Sequence, residues 1–79
     1  MAQDRGCLLI KLQHGVVGMP DRLLVRPRRP DVFIEFKRPG NKTTKIQAHW
    51  LGVLHRMGKQ AVVVRSGVQF RALLTLPTK

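Results

Sequence analysis

Two acidic side chains, Asp21 and Glu35, are the first candidates for chemistry in this sequence. Only four of the 79 residues are acidic, against 15 that are Lys or Arg, so an acidic pair that the fold could bring together is unusual. Glu35 lies in the β-branched and aromatic run Val32–Phe36, and Asp21 shortly precedes the run Leu23–Val25. Both runs are typical of strands, and the Pro- and Arg-rich stretch between them is typical of a turn. The sequence therefore predicts an antiparallel hairpin.

The predicted register of this hairpin brings the two acids together. Counting outward from a turn centred on Arg28 pairs Val25 with Asp31 and, further along, Asp21 with Glu35. Directly opposed residues have Cβ atoms about 5 Å apart, where two bare carboxylates repel each other. Such a pair is a suitable ligand set for a hard divalent cation, which prefers oxygen. A surface hairpin with scattered charges is the alternative, and the alignment of two acids in so basic a chain favours the metal site.

Lys37 adds a cation to this candidate site. It follows Glu35 by two residues, so in a strand its amine points from the same face. A lysine beside a metal-bound water can orient or deprotonate that water, or stabilise charge that develops on a phosphate.

Four ordered motifs carry a family resemblance. They are Gly-Met-Pro-Asp-Arg at 18–22, Val-Phe-Ile-Glu-Phe-Lys-Arg-Pro-Gly at 32–40, a Gln on the next helix, and Val-Val-Arg-Ser at 63–66. Together they resemble the VRR-NUC family, the virus-type replication and repair nucleases of the PD-(D/E)xK superfamily. The resemblance covers roughly Gly6 to Arg71, most of the chain. Any one of the motifs alone would be a weak signal, whereas the ordered set is specific.

The resemblance implies Mg²⁺- or Mn²⁺-dependent endonuclease cleavage of DNA phosphodiesters, with branched DNA (a junction or a flap) as one candidate substrate. It implies that Asp21 and Glu35 are metal ligands and that Phe36 adds its backbone carbonyl. It further implies that Lys37 is the catalytic lysine and Gln47 the active-site Gln. From the residues alone, a capping role for Gln47 is favoured, because Thr44 and Gln47 have the spacing of a capping box. A Gln that folds back onto the cap is not expected to reach the metal site as well.

One departure from the family pattern affects the expected metal count. Family members usually begin with a helix that carries a further Glu facing the metal site. This chain has no Glu before Glu35, and the only acid available ahead of the first strand is Asp4, which lies too close to that strand to sit on such a helix. We therefore expect one metal, or weak metal binding, rather than two. The same departure favours the competing interpretation, a catalytically weak or inactive nucleic-acid-binding module on the same fold.

The net charge of +11 predicts a polyanionic partner, for which DNA is the leading candidate. A ribosome-associated RNA-binding protein and a membrane surface are the alternatives that charge alone leaves open. Phosphate contacts are expected from arginines of the hairpin turn and of the fourth strand, namely Arg26, Arg28, Arg29 and Arg65. Lys11 is either a phosphate contact or a solvated strand lysine, and a surface loop is the favoured interpretation for His14.

The remaining elements follow from periodicity. Cys7–Leu12 and Gln60–Arg65 read as further strands. Apolar residues at helical spacing predict a helix over Thr44–Met57 with a core-facing stripe of Ile46, Trp50, Val53, Leu54 and Met57. Ser66 caps a short last helix from Gly67 to about Leu76, which Pro77 ends. Because a strand–helix–strand crossover is right-handed and parallel, the chain predicts an α/β fold. The expected sheet is mixed and four-stranded, with strands one to three antiparallel and the fourth parallel to the third, in a restriction-endonuclease-like core.

Length and composition set the expected context. A chain of 79 residues predicts a single domain over 1–79 with a thin core, and a two-fold homodimer is expected to cover its remaining apolar surface. The single Cys7 excludes an internal disulfide and suits a core position in a cytoplasmic protein of a bacterial or phage-infected cell. No apolar run approaches the ~20 residues of a membrane span, so no membrane partner is expected. Neither zinc nor a small-molecule cofactor is expected.

Overall fold

The computed structural model describes residues 6–75 and has the predicted architecture. A four-stranded sheet has the strand order β1-β2-β3-β4. The first three strands are antiparallel, and β4 runs parallel to β3 after the crossover helix, which confirms the mixed α/β fold. The elements are β1 (Leu8–Lys11), β2 (Arg22–Arg26), β3 (Arg29–Phe36), α1 (Lys45–Arg56), β4 (Gln60–Val64) and α2 (Gly67–Thr75). Asp4 and Pro77 lie outside the described residues.

The turn of the β2–β3 hairpin is shorter than predicted. Pro27 and Arg28 alone form it, and Arg26 pairs with Arg29, so the predicted break over 26–30 is wrong. Between this pair and the pair Leu24–Val32, β2 has one residue and β3 has two, which makes a bulge and removes the predicted Val25–Asp31 pair. The extra residue lies beside Pro30, which has no N–H for the ladder, so a bulge is its natural position. Arg28 takes the left-handed conformation that the tight turn requires, with φ 59°.

The core lies on one face of the sheet under α2. Val32 and Ile34 of β3 are fully buried, as is Leu24 of β2, and Leu74 of α2 packs against them. Cys7 belongs to the same cluster and is also fully buried, which confirms its predicted core position. Since successive strand residues point to opposite faces, the neighbouring Phe33 and Glu35 point to the other face.

Helix α1 lies on that other face. It contacts β4, and Leu54 of α1 and Ala61 of β4 are both buried. The rest of the predicted apolar stripe is less buried than expected, because α1 covers only part of the sheet and Met57 is its C-cap rather than an interior residue. Ile46 and Met57 are exposed, whereas Trp50 and Val53 are half-buried. No helix within residues 6–75 is long and apolar enough to cross a bilayer.

Both ends of α1 have the predicted caps. The Thr44 side chain accepts a hydrogen bond from the Gln47 backbone N–H at 3.2 Å, and the Gln47 side chain accepts one from the Thr44 backbone N–H at 2.9 Å. This reciprocal capping box satisfies two backbone donors that the first turn of a helix leaves unpaired. At the other end Gly58 has φ +79°, the left-handed conformation of a C′ glycine. The caps therefore set the start and end of α1.

Arg26 is a structural residue rather than a surface one. Its side chain is only 6% exposed. Its guanidinium donates to the Pro30 carbonyl from Nε and Nη2, to Gln60 Oε1 from Nη2, and to the Leu73 carbonyl from Nη1, at 3.0–3.2 Å. Burial, and then the charge of Arg29, lower the pKa of Arg26. The buried guanidinium of Arg26 thus joins the hairpin to β4 and α2. Little of the side chain is exposed to make the predicted phosphate contact.

We expect Arg26→Gln to lower the free energy of unfolding by about 2 kcal/mol, because it removes a buried charged donor that bonds three oxygens on different elements. Arg28→Gln, which changes the exposed arginine of the same turn, is the matched control and should change stability by no more than about 0.5 kcal/mol. Urea unfolding of the two variants measures the difference. Equal midpoints for both would contradict the structural role of Arg26.

Candidate active site

The pairing of β2 with β3 brings the two predicted carboxylates to one end of the hairpin. Arg22 pairs with Ile34, so the next residue along each strand is Asp21 on one side and Glu35 on the other. The Leu12 backbone N–H donates to the Asp21 carbonyl at 2.7 Å, which holds the backbone of Asp21 to the end of β1. The sequence-predicted register is therefore confirmed at this end of the hairpin, although it was wrong at the turn.

The two carboxylates line an open cleft of about 500 Å³. The loop between β1 and β2 forms one wall of this cleft, and α1 contributes its first turn. The lining residues are Lys11, Leu12, Gln13, His14, Gly18, Met19, Asp21, Glu35 and Gln47. Three of the four predicted catalytic residues thus share one cavity.

A glycine allows the loop between β1 and β2 to pack closely against α1. Gly18 has φ +86°, and a Cβ on it would lie 2.8 Å from Ile46 Cγ1 and 3.1 Å from the Ile46 backbone carbonyl carbon. A larger residue would need both a strained backbone and a shift of the helix. The Gly-Met-Pro-Asp-Arg motif therefore begins with the residue that lets the loop pack close to α1.

His14 braces the same loop from within. The Val16 backbone N–H donates to His14 Nδ1 at 3.2 Å, and His14 Nε2 lies 3.2 Å from the Pro20 carbonyl. These partners assign the proton to Nε2, since Nδ1 must accept. His14 is exposed, as predicted for a surface loop, but it also lines the cleft. Its lone position in the sequence gave no signal of this.

The charges around Glu35 oppose each other. Burial raises the pKa of its carboxyl above the ordinary value; Lys37 lowers that pKa, Asp21 raises it again, and Arg22 lowers it, with a net upward shift. Arg22 also forms an ion pair with Asp21, with 2.9 Å between Nη1 and Oδ2. Sequence reasoning missed Arg22, although its place next to Asp21 was a visible signal. The site therefore holds a half-buried carboxylate that is incompletely compensated by the protein's own cations.

Gln47 makes both of the contacts that the sequence presented as alternatives. Its Oε1 accepts from the Thr44 N–H to complete the helix cap, while its Nε2 lies 3.4 Å from Glu35 Oε2 as a donor. The expectation that a capping Gln could not reach the site was wrong, because the two ends of an amide can bond in different directions. The cap fixes the side chain, and the fixed side chain contacts the carboxylate.

Lys37 is not among the residues that line the cleft. It directly follows β3, which ends at Phe36, and its backbone N–H donates to the Val64 carbonyl at 3.0 Å. Lys37 lines a separate groove with Phe36, Arg65 and Phe70, yet its charge still lowers the pKa of Glu35. The structure therefore places this lysine at the end of the sheet, near enough to the carboxylates for its charge to act on Glu35.

The other predicted phosphate contacts do not form one patch. Arg28 is exposed at the hairpin turn, and Arg29 beside it is half-buried and donates to the Leu74 carbonyl at 3.2 Å. Six strand residues separate this turn from Glu35, a distance of about 20 Å. Arg65 lies at the opposite end, where it lines the Lys37 groove and donates to the Asn41 carbonyl at 3.1 Å.

The donors in the cleft suit a cation that retains much of its own water shell. Within residues 6–75 no group of three or more His, Cys, Asp or Glu side chains gathers to hold a metal. Asp21 and Glu35 would supply two carboxylates and Phe36 a backbone carbonyl. Mg²⁺ usually takes only one or two carboxylates and keeps several waters or substrate phosphates, whereas zinc would need more protein ligands. The charge of Glu35, which the protein's own cations compensate only in part, also favours a bound cation.

Comparisons with known proteins agree with the motifs. The family model described as "VRR-NUC domain" matches residues 2–67. "Putative nuclease p44" of Acyrthosiphon pisum secondary endosymbiont phage 1 is 39% identical over 49 residues, which are 62% of this chain and 53% of that protein. The chain thus spans about half the length of this curated relative. No solved structure matches it. Because the family match extends over most of the chain and includes Asp21, Glu35 and Gln47, the chain belongs to the VRR-NUC domain family.

Proposed function

We propose that this protein is a Mg²⁺- or Mn²⁺-dependent endonuclease that hydrolyses DNA phosphodiester bonds, with branched DNA as its preferred substrate. The observation that carries the proposal is that Asp21 and Glu35, which follow the Arg22–Ile34 pair at the open end of the hairpin, line one cleft in a chain of net charge +11. Two adjacent carboxylates repel each other, and they would also repel the phosphates of a polyanionic partner. A divalent cation between them removes the repulsion and attracts phosphate.

The proposed roles divide between binding the ion and managing phosphate charge. Asp21, Glu35 and the Phe36 carbonyl would hold the cation, which would supply an activated water at neutral pH and neutralise charge on the phosphate. Gln47 keeps the Glu35 carboxylate in one orientation, because its own side chain is fixed by the α1 cap. Lys37 stabilises negative charge that builds on the phosphate, which requires that it approach the cleft when DNA is bound.

A DNA-binding module without activity is the second candidate. The Arg22–Asp21 ion pair favours it, because an arginine that holds one carboxylate oxygen competes with a metal for that ligand. Cleavage assays with and without Mg²⁺ on branched, nicked and linear DNA separate the two candidates. Binding without cleavage of any of these substrates would favour the module.

We further propose that two copies associate. Strand β1 is an edge of the sheet, and two of its apolar side chains point to one side, with Leu8 46% and Ile10 40% exposed. An edge strand with exposed apolar side chains is a surface that natural proteins normally cover. A second copy would cover it and would bring two clefts to one branched substrate.

Replacing Lys37 with Ala should reduce the rate of Mg²⁺-dependent cleavage about 100-fold or more, the usual effect of removing one charge-stabilising donor. The melting temperature should change little, because a lysine at a strand end contributes little packing, and DNA affinity should fall only by the loss of one phosphate contact. Lys42→Ala, which removes an exposed lysine from the following loop, is the matched control and should cut at the wild-type rate. Wild-type cleavage by Lys37→Ala would disprove the catalytic assignment.

Glu35→Gln tests the metal site through stability. Because the pKa of Glu35 is raised in the native state, that state holds more protons than the unfolded state, and stability falls as pH rises through the interval between the ordinary and raised values. In EDTA at neutral pH the variant should therefore melt above the wild type. The difference should disappear at a pH below the ordinary Glu pKa of about 4.3.

In millimolar Mg²⁺ at neutral pH the order should reverse, because only the wild type gains stability by binding the ion in its native state. Asp31→Asn, which neutralises an exposed acid on the same strand, is the control and should respond to Mg²⁺ as the wild type does. A melting order that is the same in EDTA and in Mg²⁺ would count against metal binding at Glu35.

Light scattering should give the mass of a dimer for the wild type at micromolar concentration, and Ile10→Glu should shift it toward the 9.0 kDa monomer. A charge on the proposed contact surface opposes association because it must be desolvated there. Met57→Glu places the same charge on an apolar residue that is 67% exposed at the end of α1, and should leave the dimer intact. A wild-type monomer under these conditions would rule out the assembly.

A further inference from the structure

A second concave surface lies at the end of the sheet, beside the cleft. We call it the β3–α2 groove: it has a volume of about 320 Å³ and is lined by Phe36, Lys37, Val64, Arg65, Ser66, Gly67 and Phe70. Ligand pockets span about 300–1,000 Å³, so this groove is of a size for one small ring system. Of its lining residues, only Lys37, Arg65 and the backbone carbonyl of Phe36 have a role in the function proposed above.

The floor of the groove is an exposed aromatic ring. Phe36 shares its face of β3 with Val32 and Ile34, which are fully buried, yet Phe36 itself is 42% exposed. The strand ends there, and the Phe70 ring of α2 covers it only in part, with 5.7 Å between ring centroids and 54° between ring planes. A phenylalanine so exposed presents a flat apolar surface on which another ring can stack.

The rim of the groove is cationic. Lys37 and Arg65 line it, and the Arg71 guanidinium lies 3.3 Å from the position that a Cβ on Gly67 would occupy. Asp21, Asp31 and Glu35 are the acids of the described part of the chain, and none of them lines the groove. An aromatic floor with a basic rim is the combination by which proteins hold unpaired nucleotides, whose bases stack while their phosphates meet the cations.

We propose that the β3–α2 groove binds one unpaired nucleotide of the substrate strand, with its base stacked on Phe36 and its phosphate between Lys37 and Arg65. A paired base has both of its faces covered by neighbours in the duplex, so only an unstacked nucleotide can enter. Binding of the nucleotide does not depend on the proposed nuclease function. Only its position next to the cleaved phosphate rests on that proposal. It defines the substrate class as DNA that has an unpaired nucleotide beside the cut, as at a junction, flap or frayed end.

The geometry of the strand end supports that placement. Successive residues of a strand point to opposite faces, so Glu35 points to the cleft and Phe36 to the groove. Lys37 comes directly after both and acts electrostatically on Glu35 while it lines the groove. A DNA strand that reaches from the cleft to the groove must turn over the end of the sheet at Lys37, and such a turn interrupts base stacking.

The test measures binding in EDTA, so it does not depend on cleavage. Two labelled five-residue DNA oligonucleotides are compared at one fixed salt concentration: pentathymidylate, and an abasic chain with the same phosphates. Stacking of one base is worth about 5- to 150-fold in affinity, so the wild type should prefer pentathymidylate by a factor in that range. Phe36→Leu should abolish the preference and Phe36→Tyr should keep it. Both variants retain the backbone carbonyl that is proposed to bind metal.

Arg65→Gln serves as the control for charge. It should weaken binding of both oligonucleotides by the same factor and leave the preference intact, because it removes a phosphate contact and not the stacking surface. Equal affinity of the wild type for the two oligonucleotides would overturn the proposal, as would a preference that Phe36→Leu retains.

A second measurement uses the wild type alone, in case Phe36→Leu does not fold. An oligonucleotide with 5-iodouracil is crosslinked by light, and the crosslinked residue is identified by mass spectrometry. We expect the crosslink at Phe36 or Phe70; a crosslink found only at residues outside the groove would refute the base site. If the wild type prefers pentathymidylate but cleaves no DNA in Mg²⁺, the nuclease proposal is refuted and the proposed base site is not.

Discussion

The register between β2 and β3 is the constraint on which the site and the core both depend. Arg22 opposite Ile34 leaves Asp21 and Glu35 as the next two residues at the open end, and it places Ile34 and Val32 in the core. A slip of one residue would exchange the two faces of a strand. It would bury a carboxylate where Ile34 is now fully buried, and burial of a charged group is costly. The hydrophobic pattern of β3 therefore also specifies the position of the acidic pair.

The sequence predicted the elements and the register well where periodicity determines them. The alternation of β3, the apolar valines of β4 and the capping residues of α1 are local signals, and all of them hold in the structure. The prediction of the turn was wrong because the turn geometry depends on how Pro30, which lacks an N–H, fits into the strand ladder. In the structure a bulge beside Pro30 accommodates it. The apolar stripe of α1 was predicted correctly as a pattern, but how much of it is buried depends on tertiary packing.

The candidate site was predicted less completely, and the reasons lie in side-chain geometry beyond the ends of elements. Lys37 was assigned to the face of Glu35 by strand alternation; it follows the last residue of β3 and lines the groove with Phe36, while its charge acts on Glu35. Gln47 was given a choice between two bonds, and its amide makes both. His14 and Gly18 shape the cleft through loop contacts that leave no periodic trace. Only a resemblance that spans several motifs could have selected the carboxylates and the Gln together.

Net charge also proved to be a composite of unlike contributions. One of the arginines, Arg26, lies inside the protein and holds its elements together by bonding carbonyl oxygens, so it adds to the formal charge without offering a phosphate contact. Arg28 lies about 20 Å along the hairpin from the carboxylates. The cations that we propose to contact substrate, Lys37 and Arg65, lie at the opposite end, beside the exposed Phe36. Because Glu35 and Phe36 are consecutive and point to opposite faces, the end of β3 is where a single DNA strand can reach a carboxylate site and an aromatic surface at once. A duplex is too wide and too regular to make that turn, which is the physical reason to associate this fold end with unpaired DNA.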